Sequence, residues 1–202
     1  VEAQGEKLGA NATRMEAQTD ENTSGVLAKV ADVATNIEDR LNTANANELD
    51  NEFSSYERSA FYDPENGYYS KQGKDALDAR APLENDMRAK IREIGQKARS
   101  GRARAAFYEL ANRRAADSFT SADRYAQQQL TVYENATSEA KIAEATDNAS
   151  VSWSNPELFK ANIATVVGEA QRMADRLGLS AEARRQFVGG KQSAAYSAAI
   201  LA

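Results

Sequence analysis

Asp63, Glu65 and Asn66 gather carboxylate and amide oxygens on one short segment, the donor type a calcium ion takes. The spacing lacks the loop and the distal bidentate Glu of a calcium hand. It predicts side chains that shape a turn, with Asn66-Gly67 supplying positive φ. A second acidic group, Glu48, Asp50, Glu52 and Glu57, has the residue type of a hydrolytic general acid. That chemistry needs a cleft and a raised pKa, and the dense acidic run predicts a solvated helix face instead. The densest basic stretch holds Arg99, Arg102, Arg104, Arg113 and Arg114, with Lys97 beside them and Phe107 and Tyr108 interleaved. Its functional reading is contact with nucleic-acid phosphate or acidic lipid. Its structural reading is pairing with acids on neighbouring helices. Arg172, Arg176, Arg184 and Arg185 pose the same question.

Missing residues limit the chemistry further. The chain contains no His and no Cys, the side chains most used for nucleophilic, general-base and transition-metal work near neutral pH. Ser and Thr are plentiful, but no His can activate them, and Gly189-Gly190-Lys191 lacks the rest of a phosphate loop. The sequence therefore predicts no catalytic residue, no cofactor and no bound metal.

The elements that carry these residues are helical. Of 202 residues 42% are hydrophobic, much of it alanine, and only three are proline. Alanine favours helix and close packing but buries little area, so the composition predicts a thin core completed by partner subunits. The net charge is −5, with 30 acids and 25 bases interspersed. That balance argues against sequence-specific reading of duplex DNA, which uses basic surfaces. No apolar run reaches the roughly 20 residues of a membrane span, and no secretory signal pattern opens the chain. Val1 at the start, and Ile200-Leu201-Ala202 ending in mid-pattern, predict a fragment of a longer protein.

Residues 1–24 are polar and predict a flexible segment. Thr23 and Ser24 can cap a helix starting near Gly25, on which Val26, Val30, Val33, Ile37 and Leu41 form one apolar stripe. Asn42 to Asn47 weakens the pattern before Leu49, Phe53, Tyr56 and Ala60 resume it. Either one helix continues with a shifted face, or two helices meet near Asn45. The turn at 61–73 is the strongest break, with Phe61-Tyr62 before it and Tyr68-Tyr69 after it, and predicts a compact loop pinned by aromatic packing. Helix resumes after Asp75, Pro82 being tolerated if a first turn starts there. Leu83, Met87, Ile91, Ile94 and Ala98 form its stripe, and Ser100-Gly101 ends it. From Arg102 to about Asp147 one long helix is expected, with Phe107, Leu110, Phe119, Leu130 and Tyr133 near one face. Asn155-Pro156-Glu157 predicts a helix start, Gly178 a stop, and Ser180 the cap of a short helix that Gly189-Gly190 breaks. The fold class is all-α: long antiparallel helices in an extended, coiled-coil-like bundle over 25–153, then a helical subdomain over 154–202.

Two segments resemble known proteins. Phe61 to Ala79, FYDPENGYYSKQGKDALDA, resembles a segment of large virion proteins of tailed bacteriophages, where an aromatic turn leads through Gly-Tyr to Gly-Lys-x-Ala. Asn155 to Ala202 is similar to helical repeats that follow it there, with a Pro-started helix, a Gly stop and an Ala-Ile-Leu-Ala end. The family is the phage ejection proteins, also called internal virion or DNA-transfer proteins. The resemblance implies a structural component of a genome-ejection apparatus, packed in the virion interior and moved to the host periplasm or envelope. There it would oligomerise with copies of itself and other ejection proteins into a conduit for non-specific DNA passage, touching membrane only through the assembly. Some relatives carry a peptidoglycan-cleaving domain, but none of its site residues maps onto this chain. The alternative class is a secreted helical translocator or filament subunit of a bacterial export system.

Overall fold

The computed structural model describes the backbone of residues 2–201 and the side chains of residues 25–201. It is all-α, with no strand among the described residues. The elements are α1 (Glu2–Tyr62), a 3-10 turn (Tyr68–Ser70), α2 (Gly73–Gly95), α3 (Gly101–Val151), α4 (Pro156–Arg176) and α5 (Ala181–Leu201). The flexible segment expected over 1–24 falls where side chains lie outside the described residues.

Four local expectations are corrected. α1 does not begin at Gly25, because the helix passes through it. Pro82 sits inside α2 and not in its first turn. It deprives the Asp78 carbonyl of its helical donor, a cost the surrounding packing absorbs. Gly189-Gly190 does not break α5. Each glycine costs about 1 kcal/mol relative to Ala in a helix, yet Phe187 and Val188 before them and Ala195 after them all pack on one core. Gly67 does not use positive φ, as its φ is −61°; Gly73 and Gly178 are the two glycines that do.

The chain forms two compact units. The first comprises Val1–Tyr56 and Arg88–Arg114. Its core joins Ala46, Leu49 and Phe53 of α1, Ile91 and Ile94 of α2, and Ala103, Phe107 and Ala111 of α3. Spacings of three and four put each set on one helix face. The Asn-rich stretch that weakened the sequence pattern has a specific task here. Asn45 is buried, and its Oδ1 accepts the Arg99 backbone N–H at 2.9 Å. Ser100 Oγ donates to Asn42 Oδ1 at 2.6 Å and accepts from Ala103 N–H at 3.0 Å, capping α3. α1 therefore runs straight through this stretch, and its amides tie down the α2–α3 connection. Gly95 leaves room for the Tyr108 ring, which a Cβ would meet at 2.3 Å.

The second unit comprises Glu57–Met87 and Ala115–Ala202. The aromatic turn lies here, and Ala76, Leu83, Met87, Ala115 and Ala122 are buried within the same unit. Its other core joins Ile142, Ala145 and Ala149 of α3 with Ile163, Val166, Ala170 and Met173 of α4 and Ala195 of α5. Asn155 caps α4, accepting from Leu158 N–H at 3.3 Å with Pro156 following. Gly178, at φ +63°, ends it, and Leu179 N–H reaches back to the Ala174 carbonyl at 3.1 Å. Ser180 Oγ accepts from Ala183 N–H at 3.3 Å and starts α5.

Candidate functional site

The charged groups singled out by sequence face one another. Asp63 Oδ1 accepts from Glu65 N–H at 3.0 Å and from Asn66 N–H at 2.7 Å. These donors, Asn66 foremost, hold its carboxyl below the ordinary carboxylate range. Asp63 is thus a turn-shaping cap, and no three acidic side chains among the described residues are grouped to hold a metal ion.

In the first unit the acidic run on α1 and the basic stretch around the α2–α3 connection are two sides of one contact. Lys97 Nζ reaches Glu52 at 2.5 Å, Arg99 reaches Glu48 at 3.5 Å, and Arg102 reaches Asp39 at 3.1 Å. Arg114 grips Asp50 through Nη2 at 2.7 Å and Nε at 3.3 Å. Arg104 Nε donates to the Gly95 carbonyl at 3.1 Å, where α2 ends, and Arg113 pairs with Glu109 at 2.8 Å. Each exposed pair contributes about 0–1 kcal/mol. In the second unit Glu57 accepts from the Ser118 hydroxyl. The five candidate arginines are thus occupied, and phosphate binding there would exchange one partner for another. Arg184 and Arg185 likewise pair with Asp175 and Glu182.

The aromatic side chains around the turn pack on one another. Tyr68 is 2% exposed and sits edge-on to Phe61 and Tyr125, with ring centroids 6.2 and 5.6 Å away. Tyr69 packs on Phe61, Tyr62 and Tyr125. Burial raises the pKa of both Tyr68 and Tyr69. Tyr125, on α3, is the anchor the sequence did not reveal. Its hydroxyl donates to the Lys71 carbonyl at 2.6 Å and lies 3.2 Å from that of Tyr69. Tyr125→Phe is expected to lower stability by about 1 kcal/mol, read as a reduced midpoint in urea unfolding with unchanged helical circular dichroism. An unchanged midpoint would remove Tyr125 as the anchor.

A second feature escaped sequence reading. Glu169 of α4 is 4% exposed and accepts from Ser138 at 2.9 Å and from Arg172 at 2.6 and 3.2 Å. Arg176 donates to Ser138 at 2.7 Å and to Asn135 at 2.9 Å, and Lys141 lies 3.5 Å from Glu169. The Arg172 hydrogen bonds lead in holding Glu169 down at about 2, against its burial, with Ser138, the Arg172 charge and Lys141 adding to the effect. Only the Glu169–Arg172 spacing of three was visible in sequence; the partners on α3 required the fold.

The largest anomaly is apolar. Val26, Leu27, Val30, Val33, Ile37 and Leu41 on α1 are 53–64% exposed. At the far end of α3 a cleft of about 420 Å³ is lined by Trp153, Phe159, Tyr196, Ala199 and Ile200. Trp153 is 65% and Ile200 83% exposed. No helix among the described residues is long and apolar enough to cross a membrane. In comparisons with protein-family models, curated proteins and solved structures, the chain matches none.

Proposed function

We propose that this chain is a non-enzymatic helical building block that acts through assembly, as a structural component of a phage genome-ejection apparatus. The observation that carries the assembly reading is the exposed stripe from Val26 to Leu41. A helix that presents aliphatic side chains at spacings of four, three, four and four has a face made for another helix. Leaving such a row in water forfeits roughly 1.5–3 kcal/mol per fully buried side chain. The ejection assignment rests on the resemblance of Phe61–Ala79 and Asn155–Ala202. A thin alanine-rich core without a disulfide suits a chain that must unfold and refold on leaving a capsid.

In this reading, copies of the chain and other ejection proteins surround DNA crossing the host envelope. The contact is loose and sequence-independent, since the arginines from Arg99 to Arg114 are occupied within the chain. Light scattering at micromolar concentration, with and without lipid vesicles, is expected to show a multimer. A compact monomer under all these conditions would overturn the assembly reading. Mass spectrometry of purified virions before and after triggered ejection tests the rest. Its peptides should be present in full particles and lost from emptied ones. Their absence from virions, with secretion from the bacterium instead, would replace ejection by the export-system alternative.

A further inference from the structure

We propose that the cleft between α2 and α3 in the first unit binds a nucleotide, with its phosphate on Arg92 and Arg104 and its base beside Tyr108. The cleft measures about 390 Å³ and is lined by Arg88, Ile91, Arg92, Tyr108 and Asn112. No acidic side chain lines it. Most cations of this helix pair already hold a carboxylate. Lys90, Lys97, Arg99, Arg102, Arg113 and Arg114 each stand within 3.5 Å of one. Arg92 and Arg104 have no ion pair among the described residues. Arg92 is exposed and forms part of the cleft wall. Arg104 stands one turn before Tyr108 on α3, and its Nε donates to the Gly95 carbonyl at 3.1 Å. That acceptor is neutral, so the guanidinium charge keeps no counter-ion. The acids that adjoin these residues in sequence are engaged by other cations. Glu93 pairs with Lys90 at 2.8 Å and Glu109 with Arg113 at 2.8 Å. Each lies about 100° around its helix from Arg92 or Tyr108. Glu84, one turn before Arg88, is held by Arg80 at 3.2 Å.

Between the cations the cleft is apolar. Ile91 is 5% exposed. Gly95 lets the Tyr108 ring lie over the end of α2, where a Cβ would stand 2.3 Å from it. The Tyr108 hydroxyl and the Asn112 carboxamide have no hydrogen-bond partner among the described residues. Guanidinium groups suit phosphate, the ring and Ile91 suit a flat apolar body, and a carboxamide suits the edge of a base. Bare phosphate would leave the apolar surface in water. A duplex is too wide for this volume, whereas single-stranded sites combine cations with aromatic rings in this way. Arg92 also lies in the last turn of α2, where a cation suits the carbonyl end of the helix. That role alone would show in stability and not in ligand affinity. Nucleotide binding here requires neither assembly nor ejection, so its failure would leave both of those readings standing.

The probes are a short single-stranded thymidine oligonucleotide, thymidine monophosphate and inorganic phosphate, each titrated calorimetrically against the full chain. The oligonucleotide and the monophosphate should bind, and phosphate far more weakly. With two phosphate contacts, oligonucleotide affinity should fall about sevenfold between 50 and 200 mM salt. Arg92→Gln removes an exposed cation with no ion pair and should weaken both nucleotide probes about tenfold, at a near wild-type urea midpoint. Tyr108→Leu should weaken them at least about fivefold, with circular dichroism checking its helices. If that variant unfolds, Arg92→Gln decides alone. Arg113→Gln, whose partner is Glu109, should bind as wild type does. Arg92-dependent binding of the oligonucleotide alone would place the nucleotide in a strand, and of both probes would admit the free form. Unchanged affinity in Arg92→Gln, or no binding of either nucleotide by the wild type, would overturn the site. Phosphate binding as tightly as the monophosphate would remove the base from it. Arg92-dependent binding of anionic vesicles in place of nucleotides would assign the cleft to a lipid headgroup and overturn it.

Discussion

Replacing Gly67 by Ala is expected to destabilise the second unit by about 3 kcal/mol, the upper range for forcing atoms into a packed site. The reason is space and not φ, since Gly67 lies at φ −61°. A Cβ there would stand 2.4 Å from the Asp63 carbonyl oxygen, 2.6 Å from the Asp63 nitrogen and 2.9 Å from the Phe61 carbonyl oxygen. All three are backbone atoms, so no side chain can swing aside. The Gly67 N–H itself donates to the Asp63 carbonyl at 2.9 Å. Relief therefore means opening the turn and lifting Tyr68 from its seat against Phe61 and Tyr125. Urea unfolding should show a lower midpoint, and the near-ultraviolet tyrosine signal should weaken. Gly25→Ala is the contrasting control. Its Cβ meets nothing within 4 Å, and in a helix interior Ala is favoured by about 1 kcal/mol. If Gly67→Ala unfolds at the wild-type midpoint, the close approach does not constrain the turn.

The all-α class was legible because helical periodicity survives wherever a helix buries a face. Ile91 and Ile94, Phe107 and Ala111, and Ile163 and Val166 each announce their side. The start of α4 was legible because its signal is local: Asn155, Pro156 and the N–H of Leu158 lie within four residues. Local signals misled where distant packing decides. The Gly189-Gly190 pair reads as a break, but α5 is held on both sides of it by Phe187, Val188 and Ala195. The Asn42–Asn47 stretch reads as weak helix because its amides serve the α2–α3 connection, more than fifty residues away. The same limit applied to the arginines. Their clustering in sequence left phosphate contact and pairing with acids on neighbouring helices both open, and only the fold shows that the acids occupying several of them sit on α1. The exposed stripe was legible as a stripe, and its exposure was not, because periodicity marks an apolar face without saying what covers it.

The Glu169 network should carry the clearest acid sensitivity in the molecule. The carboxylate is nearly buried, and its folded pKa is about 2, against an ordinary 4.5. A carboxyl with a lowered folded pKa binds protons more readily when unfolded. Its contribution is therefore fully present above about pH 4.5, declines as pH falls, and is gone below about pH 2. Arg172 and Lys141 are more than half exposed, so solvent screens their attraction and the contribution is about 1–2 kcal/mol, less than the full shift implies. Glu169→Ala should cost more, about 2–3 kcal/mol at pH 7, because it also leaves a void beside Val166 and Met173 and takes an acceptor from Ser138. Glu169→Gln keeps the shape and removes the charge. Its stability should fall short of wild type at pH 7 and approach it as pH drops toward 2. Urea midpoints of wild type and Glu169→Gln, measured across that range, give the comparison. A constant gap from pH 7 to pH 2 would show that the Glu169 charge contributes nothing to the fold.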